Sequence, residues 1–441
     1  MENTREYFKE NEEELKKRTL ELANGSKFYK RLLRRSAKKI EGGEAFNFNF
    51  FNELPKTTKD DLKRNHPFGF LAVDQSEIRG YFESSGTTDE SIGSSMTCSY
   101  KTEEDLKADW KRRLPEWMLK DLNKGDFAVI HLPYALTSSG IAFHEAFREQ
   151  GITPVALDQG HTFSSYTRVY SLLKSLQAKV LVCSVPFLLR DIVLYDQNVD
   201  IFELPNLKYI LTVGTALSDE SSKYLEEKYN IKVGKFYGMS EFGAVGVPCS
   251  KSHIHVQPDF YFEINNPNNT EANFDEDSIG GEILITDMKS KASPMLKYRT
   301  GDSGRIFYKK CDCEFNTPCV EVYGRLKDVI QNGDKGFLFP TTFQDLLIGK
   351  EDTSPVHKVV AKGDSEIELE LHIQQYKNNP EEVEQIKEEL KQLTDIPVEV
   401  VVYKFGELFE DIYAQNNYRT TQKVKTMSFH DERKGEWIIT Y

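Results

Sequence analysis

The chain has 441 residues, of which 39% are apolar and 29% charged, with a formal net charge of −13. That length supports two or three domains and at least one large core. The acidic balance argues against nucleic acid or an anionic membrane surface as the main partner, and no uninterrupted apolar run approaches a membrane span.

From the start, MENTREYFKENEEELKKR is charged and has no apolar signal core, so a cytoplasmic location is expected. Residues 3–40 read as helical. Their basic patch Lys30-Arg31…Arg34-Arg35 is short and reads as a solvated helix face. Thr57 or Thr58 is placed as the N-cap of a further helix. Gly80-Tyr81-Phe82 is strand-like and leads into Ser84-Ser85-Gly86-Thr87-Thr88, where four hydroxyls flank one glycine. Such a loop can turn several N–H and O–H donors towards one phosphate, although Asp89 and Glu90 follow where a Walker loop would have Gly-Lys.

Next, Glu103–Lys120 reads as one helix, with Trp110, Leu114 and Met118 on one face. From there strands alternate with helices. The expected strands are Phe127–His131, Ile152–Leu157, Lys179–Val182, Tyr209–Val213 and Lys232–Tyr237; the helices are Gly140–Glu149, Ser164–Leu176, Phe187–Leu194 and Asp219–Tyr229. That alternation predicts an α/β fold with a parallel sheet covered on both faces and ligand-binding loops past the carboxyl ends of its strands. Two loops fit, Gly214-Thr215-Ala216-Leu217 and Tyr237-Gly238-Met239-Ser240-Glu241-Phe242-Gly243. A β-rich segment follows (Tyr261–Ile264, Gly281–Thr286, Lys297–Asp302). A boundary is placed near Gly324-Arg325-Leu326-Lys327-Asp328, giving a large domain over 1–326 and a small α+β domain over 327–441.

Four stretches therefore stand in a fixed order: SSGTT, YGMSE, YRTGD and GRLKD. Together they resemble the adenylate-forming superfamily of acyl- and aryl-CoA synthetases. LPKTTKDDLKRNHPFGF and HLPYALTSSGIAFHEAFREQGITPVALDQGHT bring the likeness closer to the phenylacetate-CoA ligase branch. It runs from about Phe28 to about Asp328. The resemblance implies a ligase that uses ATP and Mg²⁺ to adenylate an aromatic or similar small carboxylic acid, releases pyrophosphate, and passes the acyl group to CoA.

It also implies roles. Ser84, Ser85, Gly86, Thr87 and Thr88 would hold the β- and γ-phosphates. Tyr237, with Gly238, Met239 and Ser240, would lie against adenine opposite Gly214, Thr215 and Ala216. Glu241 would bind Mg²⁺, Asp302 the ribose hydroxyls, and Arg325 the ribose or a phosphate. Lys327 would sit at the hinge about which a mobile small domain, 327–441, swings between the two half-reactions. Lys423 is the expected catalytic lysine, with Lys425 as the alternative; Gln422 stands where the family has glycine. Tyr134, Ala135, Ser139 and Gly140 are the expected acid pocket, Gly140 for close backbone approach. Relatives of this branch imply a homodimer. Two other readings stay open: transfer to an amine or a carrier-protein thiol, and a degenerate nucleotide-binding protein without activity.

Six cysteines without a secretion signal argue against a disulfide framework. Cys98 and Cys183 read as buried small residues. Cys249, His255, Cys311 and Cys313 are candidates for a structural Zn²⁺ site, with His253 and Cys319 as alternates, because three thiolates and one imidazole complete a closed tetrahedron.

Overall fold

The computed structural model describes residues 2–83, 97–159, 161, 164, 166–185, 188, 204, 206–265, 281–308, 311–332, 336–363, 367–408 and 429–431. The phosphate-loop candidates 84–88 and both candidate lysines, Lys423 and Lys425, lie outside these residues, as does most of the expected helix Phe187–Leu194.

Five strands form the expected parallel sheet, in the order Thr153–Ala156, Phe127–His131, Val180–Ser184, Tyr209–Val213, Lys232–Lys235. Every residue of Val180–Ser184 is buried, which suits a central strand covered by helices on both faces. The strand order reverses at Phe127–His131, whose neighbours are the strands that follow it on either side. A crevice opens at the carboxyl ends of strands at such a switch point.

The expected strand Lys232–Tyr237 is in fact two. Lys232–Lys235 ends the parallel sheet, while Tyr237–Met239 pairs antiparallel with Gly243–Pro248 as the edge of a second sheet. The YGMSEFG stretch is thus a hairpin between sheets rather than a loop after one strand. That second sheet has seven antiparallel strands, in the order Phe260–Asn265, Gly281–Asp287, Tyr298–Phe307, Cys319–Arg325, Ile254–Val256, Gly243–Pro248, Tyr237–Met239. The N-terminal helices Glu2–Asn24, Lys27–Leu32 and Arg34–Glu41 share a core with it through Phe8, Leu15, Tyr29, Phe51 and Tyr261.

Thr58 caps Lys59–Arg64 in a full capping box with Asp61. The helix expected over 103–120 breaks into Glu103–Arg112 and Glu116–Leu119 at Pro115, which lacks an N–H and cannot continue the turn. Gly80–Glu83 and Cys98–Lys101 pair antiparallel and bracket the Ser/Thr loop. Further along, Thr353–Lys362, Glu368–Gln375, Val398–Lys404 and Phe429–Asp431 build a four-stranded sheet packed by helices Pro340–Leu347 and Pro380–Leu393. No helix among the described residues is long and apolar enough to cross a membrane.

Candidate active site

A cavity of about 800 Å³ lies at the carboxyl ends of the parallel strands, between that sheet and the antiparallel one. Each strand end contributes to its wall: Leu132 and Pro133, Gln159, Ser184, Thr212 to Ser218, and Lys235 to Glu241. Tyr298, Thr300, Asp302 and Gly324-Arg325 come from the second sheet, and Lys327, Pro340, Thr341, Gln344 and Asp345 close it from the C-terminal side. Gly214-Thr215-Ala216, Tyr237 to Glu241, Asp302, Arg325 and Lys327, far apart in the chain, therefore meet around one space.

Asp302 is the centre of the polar network. Arg325 pairs with it at 3.0 Å across adjacent strands, and the Tyr237 hydroxyl donates to its other oxygen at 2.9 Å. The Asp302 carboxylate raises the Arg325 pKa, so the guanidinium stays charged. Burial, and then the Asp302 charge, push the Tyr237 phenol well above its usual range, which keeps it a donor. A carboxylate has about four acceptor positions, and these contacts leave room for further donors. Glu241 is buried; its Oε1 accepts from Tyr298 at 2.9 Å and from Thr97 at 3.4 Å.

Gly214 has φ +94 with open space where a Cβ would be, so glycine serves its left-handed turn rather than tight packing. The turn is held from the C-terminal side. Gln344 Nε2 donates to the Ala216 carbonyl at 3.2 Å, and Ser218, the N-cap of Asp219–Tyr229, hydrogen-bonds Asp345.

The expected acid pocket is only partly at the wall. Ser139, with Thr137 and Ser138, lines the cavity, whereas Tyr134, Ala135 and Gly140 are not among its lining residues. Tyr134 meets His144 edge-on. A Cβ on Gly140 would come within 2.7 Å of both the Pro133 carbonyl and the Tyr134 ring, so the close approach at Gly140 is to its own chain.

Among the wall residues not anticipated, three polar ones stand out for their burial or pairing. Arg113 is buried, pairs with Asp109 at 3.0 Å, and has a buried Nε with no hydrogen-bond partner. Lys235 is buried and ion-paired to Asp219. Gln159 donates to Ser184 at 3.2 Å. Their sequence context, helix-end and strand-end polar residues, offers no signal that separates them from solvated ones.

Beside the cavity, the ligand atoms of Cys249, His255, Cys311 and Cys313 all lie within 4.8 Å of one another. A second group on the same terms is His253, Cys311 and Cys319. As metal-free thiols, Cys249 and Cys319 are pushed up to about 12 by burial and by neighbouring cysteines.

An open parallel sheet with its cavity at the strand ends, joined to an antiparallel sheet and followed by a small α/β unit, is the architecture of adenylate-forming CoA ligases. A 2-hydroxyisobutyryl-CoA ligase, solved in the postadenylation state with R3-HIB-AMP, superposes with a TM-score of 0.77 at 16% identity, over 96% of this chain and 90% of that one. In sequence the chain is similar to phenylacetate-coenzyme A ligases. The relative from Thermus thermophilus is 24% identical over 82% of this chain and 80% of its own length. The one from Pseudomonas putida is 27% identical over 58% and 56%. These likenesses support an AMP-forming acid–CoA ligase. No protein-family model matches the chain.

Proposed function

We propose that the protein is an ATP-dependent ligase that adenylates an aromatic or similar small carboxylic acid and transfers the acyl group to CoA. The observation that carries this is the Tyr237–Asp302–Arg325 network at the mouth of a cavity walled by Gly214-Thr215-Ala216. It offers a flat slot for a base next to a carboxylate suited to a vicinal diol. In the reaction, an acid oxygen attacks the α-phosphorus of ATP, the α–β anhydride bond breaks and pyrophosphate leaves. The CoA thiol, losing its proton, then attacks the acyl carbon, and AMP leaves.

The chain's own groups supply positioning and charge, the main requirements of such transfers. Asp302 would accept from the ribose hydroxyls, and Arg325 would hold that carboxylate in place. Arg113 and Lys235 bring buried cationic donors to the wall, each paired with a carboxylate. Glu241 fits Mg²⁺ as a buried carboxylate at the wall, with one oxygen oriented by Tyr298. Mg²⁺, when bound, neutralises the triphosphate. Residues 84–88 and Lys423 are assigned to the phosphates on sequence alone, with a swing of the part from 327 onward about Lys327 between the two half-reactions.

The test is a panel of carboxylic acids assayed for pyrophosphate release with ATP and Mg²⁺, with and without CoA. Acid-dependent release stimulated by CoA is expected. Acid-dependent release indifferent to CoA would move the reading to an amine or carrier-protein acceptor, and no acid-dependent release would refute ligase activity.

A further inference from the structure

We propose a structural zinc site, ligated by Cys249, His255, Cys311 and Cys313, that ties the segment before the GRLKD stretch to the antiparallel sheet and so fixes the cavity wall at the Cys319 end of the strand Cys319–Arg325. Zn–S bonds of about 2.3 Å and Zn–N bonds of about 2.0 Å set tetrahedral ligand–ligand distances of about 3.5–3.8 Å. The four ligand atoms already lie within 4.8 Å of one another, with His255 Nε2 at 3.3 Å from Cys313 Sγ.

Three features of the surroundings make this a ligand set rather than a chance crowd of thiols. The His255 ring nitrogen Nδ1 lies 2.8 Å from the Thr317 carbonyl, which can only accept, so Nδ1 carries the proton and the Nε2 lone pair faces the sulfurs. His255 is fully buried, and Phe315 stacks on it at 5.2 Å. Two of the sulfurs each accept a backbone N–H from two residues on: Lys251 to Cys249 at 3.4 Å and Phe315 to Cys313 at 3.3 Å. Those bonds suit sulfurs held as thiolates. The turn that delivers Cys249 is closed by Ser252, which takes φ 64 and donates its N–H to the Cys249 carbonyl.

The consequence for the site follows from topology. His255 is the register partner of Cys319, the first residue of the strand that ends at Arg325. Cys311 and Cys313 lie on the approach to that strand. A cation bridging Cys249, His255, Cys311 and Cys313 therefore joins the strand Ile254–Val256 and the turn before it to the connection between Tyr298–Phe307 and Cys319–Arg325 by bonds rather than by loop packing. Cys311 itself lines the cavity, so this is also its wall.

Zinc content at this site does not depend on which acid, if any, the protein activates. Protein purified without added metal or chelator is analysed for zinc by elemental analysis, and the wild type is then stripped with a chelator and refilled with zinc or Co²⁺. One zinc per chain is expected, with a melting temperature that falls on stripping and recovers on refilling. Co²⁺ should give the intense visible bands of a tetrahedral thiolate site. Cys313→Ser should lower the zinc content severalfold, whereas His253→Ala and Cys319→Ser should each retain one zinc. Zinc well below one per chain, together with no cobalt–thiolate absorption on refilling, overturns the site even if a cysteine variant fails to fold. Loss of zinc in Cys319→Ser overturns this ligand set.

Discussion

Asp302→Asn is the sharpest probe of the nucleotide reading. The change keeps the shape and one acceptor oxygen but removes the charge and turns the other oxygen into a donor. In the free protein it weakens the pair with Arg325 at 3.0 Å and the hydrogen bond from Tyr237 at 2.9 Å. The Arg325 side chain is 43% exposed, so its orphaned charge is hydrated, and the stability cost should stay near 1 kcal/mol or less. The nucleotide loses more. A hydrogen bond to a charged group contributes about 1.5–3 kcal/mol, and losing one such bond corresponds to a roughly 10- to 150-fold weaker ATP interaction at about 1.4 kcal/mol per decade. Steady-state pyrophosphate release at saturating acid should show the KM for ATP raised by that factor and the KM for CoA little changed, with a melting temperature close to that of the wild type. A KM for ATP within threefold of the wild type would place the ribose elsewhere and refute the reasoning.

Other expectations follow from the same picture. Lys423→Ala should slow adenylation by orders of magnitude while leaving conversion of added acyl-adenylate and CoA to thioester near wild type; equal loss in both half-reactions would remove Lys423 from the adenylation step. Asp89→Gly/Glu90→Lys removes like charge beside a triphosphate and should lower the KM for ATP; an unchanged or higher KM would mean the triphosphate does not lie on that loop. Gly140→Ala forces a methyl against the Pro133 carbonyl and the Tyr134 ring and should cost about 1–3 kcal/mol, seen as a lower melting temperature with the KM for ATP unchanged. Burial holds the His131 pKa down at about 4 against 6.5 for a free side chain, and lowers that of His357. Both are neutral in the fold and take up protons on unfolding, so their stabilisation is complete above about pH 6.5 and declines as pH falls below it, for His131 until pH reaches about 4. For His131 that amounts to about 3 kcal/mol. The melting temperature should drop between pH 7 and pH 5, and His131→Gln should flatten the drop; an equally steep drop in the variant would exclude His131 as its source.

Alternating apolar strands and amphipathic helices specify the parallel sheet, because burial on both faces demands runs such as Val180-Leu181-Val182. Thr58 declares its helix start through a local capping box. Asp302, Arg325 and Tyr237 stand out because their motifs occur in a set order. Their mutual contact does not, since strand register brings Asp302 opposite Arg325 across a turn of chain that no local pattern measures. The exchange of sheets at Phe236 was invisible for the same reason: an apolar strand reads alike whichever partner it takes.

Local chemistry, then, is what the order of residues determines by itself: which segments are strands, where helices begin, and which short stretches carry groups fit for a nucleotide. Only the tertiary structure decides which of those groups face one another. It turns Tyr134 and Gly140 into packing partners, brings buried Arg113 and Lys235 to the cavity wall, and gathers Cys249 and His255 with Cys311 and Cys313 across an interval of chain longer than any spacing rule spans. The physical reason is that side-chain burial and pairing depend on long-range register and on how sheets pack, quantities set by the whole core rather than by neighbours in the chain.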